Sequence, residues 1–469
     1  MEFSDLRGFI EEVEKIGQLK IVEGADWRSE IGAIVFLAKK RENSPALLFQ
    51  KIKDYPEDYR ILANPAHSLK RLALILRMPM ESRPIEFIKI WKERTKKIDL
   101  IPPKKVKDGP IFENILKGKD VDIYKFPTPK WHELDGGRYI GTGDIVITKD
   151  PDEGWVNLGT YRVMIHDKDT LAFYISPGKH GRIHREKYFS KKQNCKVAIS
   201  FGHDPLLALV GGTEIPYGVC EYDYAGGICG RPIEVIEGEY TGLPIPAHSE
   251  IVIEGEAYFD ELRSEGPFGE WTGYYASSKR NEPIIKIKSI MHRDNPILLG
   301  YPPSRVAPSA ILRSAMIWNE LELMGVPDVK GVWCHPYAGH RLFVIISIKQ
   351  RYPGHAKQVL ALAAQCHAGA YIGRYVVVVD DDIDPSNIND VIWAMATRSD
   401  PAESIDIMRR CWSGPLDPII PMEKKGHNSR ALIEATRPYE HLKDFPIAVD
   451  VSKELEEKVT KKWGDVLNF

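Results

Sequence analysis

The sequence is poor in cysteine and shows no pairing of the cysteines it has. Cys195, Cys220, Cys229, Cys334, Cys366 and Cys411 form no CxxC and follow no regular spacing. In so long a chain this counts against a disulfide framework and a thiolate zinc site, and reads as reduced, mostly buried thiols. No charge is in excess either: 64 Lys and Arg stand against 66 Asp and Glu, a formal net charge of −2. That balance supplies no field to gather nucleic acid or anionic lipid. Long hydrophobic runs are missing, and the dense stretch Leu342 to Ile348 is too short to cross a bilayer. The first residues, MEFSDLRGFIEEVEK, carry acids where a signal peptide carries a basic flank and an apolar run. A cytoplasmic protein is expected, with neither nucleic acid nor membrane as partner.

Common phosphate and nucleophile signatures are also lacking. There is no GxxxxGK[ST], no GxGxxG between a strand and a helix, and no GxSxG. Gly211-Gly212 and Gly226-Gly227 are isolated dipeptides that by themselves read as turns. Nucleotide triphosphate hydrolysis, ordinary NAD chemistry and a serine nucleophile elbow lose ground accordingly.

What is present is an ordinary globular composition, 43% hydrophobic and 28% charged over 469 residues, with room for two or three domains. Leu6, Phe9, Ile10, Val13 and Ile16 follow helical spacing, as does a segment from Ser68 to Leu76, and Leu47–Phe49 and Ile61–Leu62 read as short strands. The stretch PPKKVKDGP reads as a linker. From about residue 115 to 300, short β-rich runs such as Ile145–Thr148, Tyr161–Ile165, Lys196–Ser200 and Ile284–Ile290 crowd together, which predicts a barrel or a sandwich. Beyond 305, helices at Ala310–Met324 and Ala356–Ala370 alternate with the apolar strands Leu342–Ile348 and Tyr375–Val379, which predicts a second α/β region. Ser452 to Trp463 reads as a terminal amphipathic helix. The fold class is therefore α/β + β, divided as an N-terminal α/β region (1–114), a β-rich domain (115–304) and a C-terminal α/β domain with its helix (305–469).

Three local sequences stand out chemically. Glu265-Gly-Pro-Phe-Gly-Glu270 sets two carboxylates around two glycines and a proline, either a solvated acidic turn or a loop that holds two acids in fixed positions. In Asn157-Leu-Gly-Thr-Tyr-Arg162, the odd offset puts Asn157 and Arg162 on opposite faces of a regular strand, and a bulge at Gly159 would bring them together. Arg162 is either a surface ion pair or an inward cation that needs anionic partners, with Glu265 and Glu270 available. Asn157, His180 and Glu221 offer an amide oxygen, an imidazole and a carboxylate, a set that suits Mn²⁺ or Mg²⁺, although ligands so scattered carry little specificity. His180 and His184 lie four apart, but the glycines on either side of His180 argue against a continuous helix and against an HExxH-like site.

Taken together, NLGTYR at 157–162, GKHGRIH at 178–184, the GVCEYDYAGG loop with Glu221, SEGPFGEWTGYY at 264–275 and VVVVDDDIDPSNINDVIWAMATR at 376–398 resemble the UbiD family of decarboxylases over the whole chain. The resemblance implies a central split β-barrel that binds prenylated FMN and a C-terminal domain that mediates oligomerisation. It implies that Asn157, His180 and Glu221 hold Mn²⁺, with K⁺ close by, and that Arg162, Glu265 and Glu270 form a Glu–Arg–Glu triad. Thr160, Tyr161, Lys179 and the loop Gly211, Gly212, Thr213 would contact the cofactor together with Arg162, His180 and Glu221. Arg374 would help hold its phosphate, at a position where the family usually has lysine. Trp412 and Leu416 would lie over the substrate.

The expected activity is reversible decarboxylation of an aromatic acid of the hydroxybenzoate kind, with Glu270 as proton donor. The alternatives are an aroyl-CoA substrate such as phthaloyl-CoA, with lysines of the basic stretch 103–107 meeting CoA phosphates, or a flavin-binding accessory subunit without catalysis. A homo-oligomer, dimer or hexamer, and a flavin prenyltransferase as cofactor supplier complete the implied partners.

Overall fold

A computed structural model describes residues 3–41, 44–80, 83–213, 215–276, 278–305, 310–424 and 426–467. The first helix, Leu6–Lys15, starts where the Asp5 carboxylate accepts from Gly8 N at 2.9 Å. It buries Leu6, Phe9, Ile10 and Val13, the stripe that helical spacing predicts. Burying each such side chain contributes about 1.5–3 kcal/mol. Ser68 caps the helix Leu69–Leu76 in the same way, accepting from Arg71 N.

Among the described residues the strands form four sheets. Leu19–Glu23, Ala46–Gln50 and Arg60–Ala63 make an N-terminal sheet, and its fourth strand, Ile297–Gly300, returns from far along the chain to pair parallel with Arg60–Ala63. Strand Tyr375–Asp380 lies at the centre of the five-stranded C-terminal sheet, between Phe343–Ile348 and His427–Ala435 and parallel to both. Its flanking helices include Ala310–Leu323 and His355–Gln365. The second of these stops at Gln365, short of the predicted Ala370, because the chain turns extended at Cys366. The terminal helix Lys453–Leu467 forms as predicted.

Between these α/β regions lies a curled nine-stranded sheet. Along its path run Tyr139–Gly141, Arg162–Asp167, Thr170–Tyr174, Arg280–His292, Ile251–Glu265, Cys195–Ser200, Ile145–Lys149 and Val156–Gly159, with Asn114–Lys117 added beside Arg280–His292. Its buried face packs Trp131, Tyr139, Phe173, Phe201, Ile253 and Phe268 into one core.

The sheet's curl is written in its connectivity. Val156–Gly159 is the last strand of the path and Arg162–Asp167 the second, yet only Thr160 and Tyr161 join them. Two residues bridge at most about 10 Å, so the two ends of the sheet must meet at this junction. Asn157 and Arg162 therefore reach the same region from two different strands, and the bulge expected at Gly159 does not exist. Gly159 instead ends its strand under the Tyr161 ring, where a Cβ would lie 2.2 Å from the phenol.

The basic stretch is also more than a linker. Lys104–Lys105 forms a short strand parallel to Glu234–Val235 in a small third sheet.

Candidate active site

Hairpin register positions the first acid. Ile251–Glu265 and Arg280–His292 pair antiparallel until Glu265 meets Arg280, so Glu265 sits at the hairpin's open end. Arg162 opens its own strand, opposite Tyr174. Gly266 takes a positive φ of 86° and is followed by a cis peptide to Pro267, and the loop then turns back through Gly273 N, which bonds Glu270 O at 2.9 Å. A second loop clasps this one: Gly136 N donates to Pro267 O at 2.8 Å, and Asp135 accepts from Gly269 N at 2.9 Å. The clasp leaves no room for a side chain at Gly136, where a Cβ would sit 2.0 Å from Gly266 O.

The outcome is a buried triad. Arg162 Nη2 lies 2.8 Å from Glu265 Oε2, and Nη1 bonds Glu270 Oε1. Glu265 is fully buried and Glu270 nearly so. The reading as a solvated acidic turn is thereby set aside. Tyr139, unflagged by any motif, donates its hydroxyl to Glu265 Oε1 at 2.9 Å. The Tyr174 ring lies 4.6 Å from the Arg162 guanidinium carbon and 4.0 Å from that of Arg280, spreading positive charge over its face.

The two acids differ in environment. Glu265 receives a donor on each oxygen, from Tyr139 and Arg162. Glu270 meets only Arg162 among the described residues. Burial pushes the Glu270 carboxyl above the ordinary carboxylate range, with Arg162 opposing and Glu265 reinforcing the shift. Arg162 itself is held charged by both carboxylates despite its burial.

Glu270 and Arg162 line a cavity of about 190 Å³ together with Thr160, Tyr161 and Lys179. Phe268, Pro303 and Leu416 supply its apolar wall. Leu416 thus faces this cavity. Trp412 is not among the residues lining it: it is 55% exposed and its ring packs at a tilt against Tyr371, 4.7 Å between centroids.

Near the junction, the cofactor and metal candidates converge on the seam. Thr160 N bonds Gly211 O at 3.2 Å and its hydroxyl bonds Ala208 O, which ties the seam to the Gly211-Gly212-Thr213 turn. Tyr161 reaches across to accept from Gly181 N at 3.2 Å. His180 opens the helix His180–Ser190, so the glycines do not prevent a helix: Gly181 is its second residue, packed against the Tyr161 ring. His184 is nevertheless no second ligand. It is fully buried, with Nδ1 on the Thr148 hydroxyl at 3.0 Å and Nε2 3.6 Å from Asp150.

Of the expected metal ligands, Glu221 is buried at the first turn of helix Glu221–Cys229, and Oε2 accepts from Leu158 N at 2.7 Å. Burial raises its carboxyl to about 7. The amide Nδ2 of Asn157 is buried beside the Tyr161 hydroxyl, without a close hydrogen bond. An amide turned over would offer its oxygen from the same place. His180 is kept neutral by burial and packs edge-on against Trp155 at 5.4 Å and Tyr217 at 5.6 Å. Among the described residues no three His, Cys, Asp or Glu gather as a metal site, and the expected set holds only two of those types. Arg374 precedes the strand Tyr375–Asp380 and pairs at 2.7 and 2.8 Å with buried Asp417. Asp417 also accepts from Ser413 and Asn428, fixing the loop that presents Leu416.

Three family models match in order along the chain. They are the N-terminal domain (10–91), the Rift-related domain (104–306) and the C-terminal domain (309–435) of 3-octaprenyl-4-hydroxybenzoate carboxy-lyase. A pyrrole-2-carboxylic acid decarboxylase of Pseudomonas aeruginosa is 31% identical, with 98% of each chain covered. A vanillic acid decarboxylase of Sedimentibacter hydroxybenzoicus, solved in its closed form, superposes with a TM-score of 0.85 at 30% identity over 100% of both chains. The UbiD-class enzyme HmfF of Pelotomaculum thermopropionicum, solved with FMN, gives a TM-score of 0.85 at 27% identity, covering 97% of this chain and 98% of that one.

Proposed function

This chain belongs to the UbiD family of carboxy-lyases, and on that premise we propose that it decarboxylates a free aromatic acid of the hydroxybenzoate kind with prenylated FMN and a Glu265–Arg162–Glu270 triad. The observation that carries the reading is one guanidinium bridging two buried carboxylates on the wall of a cavity with an apolar side. Flavin binding alone requires no such arrangement, which argues against an accessory subunit without catalysis.

Prenylated FMN, when bound, supplies the electron sink that loss of CO₂ from an sp² carbon demands and no side chain provides. The donor set fits such a cofactor and its cation. Asn157, His180 and Glu221 would hold Mn²⁺, with K⁺ beside them. The buried Asn157 amide, and the Glu221 carboxylate buried beside Leu158, support that assignment. Thr160, Tyr161, Lys179 and the Gly211-Gly212-Thr213 turn would contact the flavin. Arg374 would reach the phosphate only by sharing its pairing with Asp417.

The chain's own residues have three tasks. Phe268, Pro303 and Leu416 exclude water around the substrate ring. Arg162 holds positive charge at the cavity wall and fixes both acids. Glu270, whose burial favours its protonated form, returns a proton to the ring carbon once the carbon–carboxylate bond has broken and CO₂ has left. Each of these steps is reversible, so the same groups serve carboxylation when CO₂ is abundant.

A free acid is favoured over an aroyl-CoA because two of the three lysines in the basic stretch already face carboxylates. Lys104 pairs with Glu234 at 3.2 Å and Lys105 with Glu237 at 2.9 Å. A homo-oligomer and a flavin prenyltransferase that supplies the cofactor belong to the same reading. Co-expression with that prenyltransferase, followed by Mn²⁺, K⁺ and product arene in D₂O, tests it. Ring-proton exchange that depends on cofactor supports the reading; a loaded protein that exchanges nothing across a panel of hydroxyarenes overturns it.

A further inference from the structure

The triad by itself is out of charge balance. Two carboxylates, Glu265 and Glu270, stand buried around one guanidinium, Arg162. Buried charges persist when they are paired, so the surplus acid calls for a second cation. The hairpin supplies one. Its register sets Arg280 directly opposite Glu265, and Arg280 Nε comes to 4.0 Å from Glu265 Oε2.

This approach works by charge, since 4.0 Å is too long for a hydrogen bond. Arg280 Nη2 is buried with no hydrogen-bond partner. What seats the guanidinium is the Tyr174 ring, whose centre lies 4.0 Å from the Arg280 carbon and 4.6 Å from that of Arg162. Tyr174 lines the triad cavity and Arg280 is not among its lining residues, so Arg280 acts on the acids without meeting substrate. Glu282, on the same strand, is buried as well, but its carboxyl, raised by burial, is drawn down first by Arg185 and only then by Arg280.

Glu270 is faced by charge from several elements. Arg162 bonds it from the start of its own strand, and Lys179 lines the same cavity. Asp135 and His132 pack on the Glu270 loop at Gly269, and Arg305 packs on it at Gly273. Burial raises the Glu270 carboxyl, Arg162 opposes, Glu265 reinforces, and Arg280 opposes again. We propose that Arg280 is a positioning residue for proton return: from behind Tyr174 it balances the second buried acid and sets the pH range over which Glu270 gives up its proton. Its use in proton return rests on the function proposed above; the charge coupling itself does not.

Infrared titration of the purified chain, without cofactor or turnover, reads the coupling directly. The carbonyl stretch of protonated Glu270 is assigned by its loss in Glu270→Gln. In Arg280→Gln that band should persist to a pH about one unit higher than in the parent, because a cation favouring the anion is gone. Arg280→Lys, which keeps the charge, should titrate as the parent does. Arg280→Met gives the same reading should Arg280→Gln fail to fold. In the loaded enzyme the falling limb of kcat against pH should move upward with the band. A merely structural Arg280 would lower the melting temperature and leave the titration in place, and that result overturns the proposal. An Arg280→Lys that titrates like Arg280→Gln overturns it too. The infrared shift in a chain that proves to have no decarboxylase activity would keep the coupling and remove only its use in proton return.

Discussion

Tyr139 donates its hydroxyl to the Glu265 oxygen that Arg162 does not hold, at 2.9 Å, and so saturates that carboxylate. The saturation divides the labour of the two acids. Glu265, with a donor on each oxygen, orients Arg162, whereas Glu270, with one donor and a buried setting that raises its carboxyl, is the one poised to carry a proton.

Glu270→Gln should retain cofactor and metal and lose about 10²–10⁴-fold in turnover, the usual contribution of a positioned general acid. Flavin absorbance and metal content of the purified variant, set beside its decarboxylation rate, check this. Near-parent turnover would remove Glu270 from the donor role.

The pH dependence follows from the raised Glu270 carboxyl. The donor is competent while protonated, so kcat should hold at low pH and fall as pH rises through a single ionisation above the ordinary carboxylate range. A pH–rate profile that rises over that interval would contradict the assignment.

Replacing Arg162 with Met removes the cation from between two buried carboxylates. Stripping one partner from a buried ion pair costs about 3–5 kcal/mol. Urea unfolding should show a loss of that order near neutral pH, with partial recovery in the double variant R162M/E265Q.

Tyr139→Phe keeps the ring that packs 4.2 Å from Phe268 and removes only the donor to Glu265. Losing a hydrogen bond to a charged group costs about 1.5–3 kcal/mol. Turnover should fall more than KM changes, and flavin content should stay at the parent level.

Gly159→Ala would push a methyl group into the Tyr161 ring. Overpacking of this kind costs about 1–3 kcal/mol. Because Tyr161 and Asn157 share the seam, the variant should also retain less flavin and less Mn²⁺ than the parent, as absorbance and elemental analysis would report.

Much of this was legible in the sequence because short motifs carry it. Arg162, Glu265 and Glu270 stand in two compact segments of unusual composition, and the core stripes of Leu6–Lys15 and Leu69–Leu76 follow local periodicity. What local pattern could not reveal is set by long-range pairing. Tyr139 is one aromatic among 20 tyrosines, with no neighbouring residue to mark it, and strand pairing with 162–167 together with the clasp of 135–136 on 267–269 brings it to Glu265. The expected bulge at Gly159 treated 157–162 as one strand, since nothing in six residues reports that they close a sheet. Trp412 ends the strand Ile405–Trp412 and Leu416 lies four residues on, yet the Asp417 network points only the second at the cavity.

The two-residue seam at Thr160–Tyr161 has an evolutionary corollary. A single inserted residue there would rotate everything downstream by one side-chain step, turning Arg162 away while leaving Asn157 in place. Changes in substrate preference would therefore fall to the loop bearing Leu416 or to the irregular segment after Ile297–Gly300 that carries Pro303, leaving the span from 157 to 162 untouched.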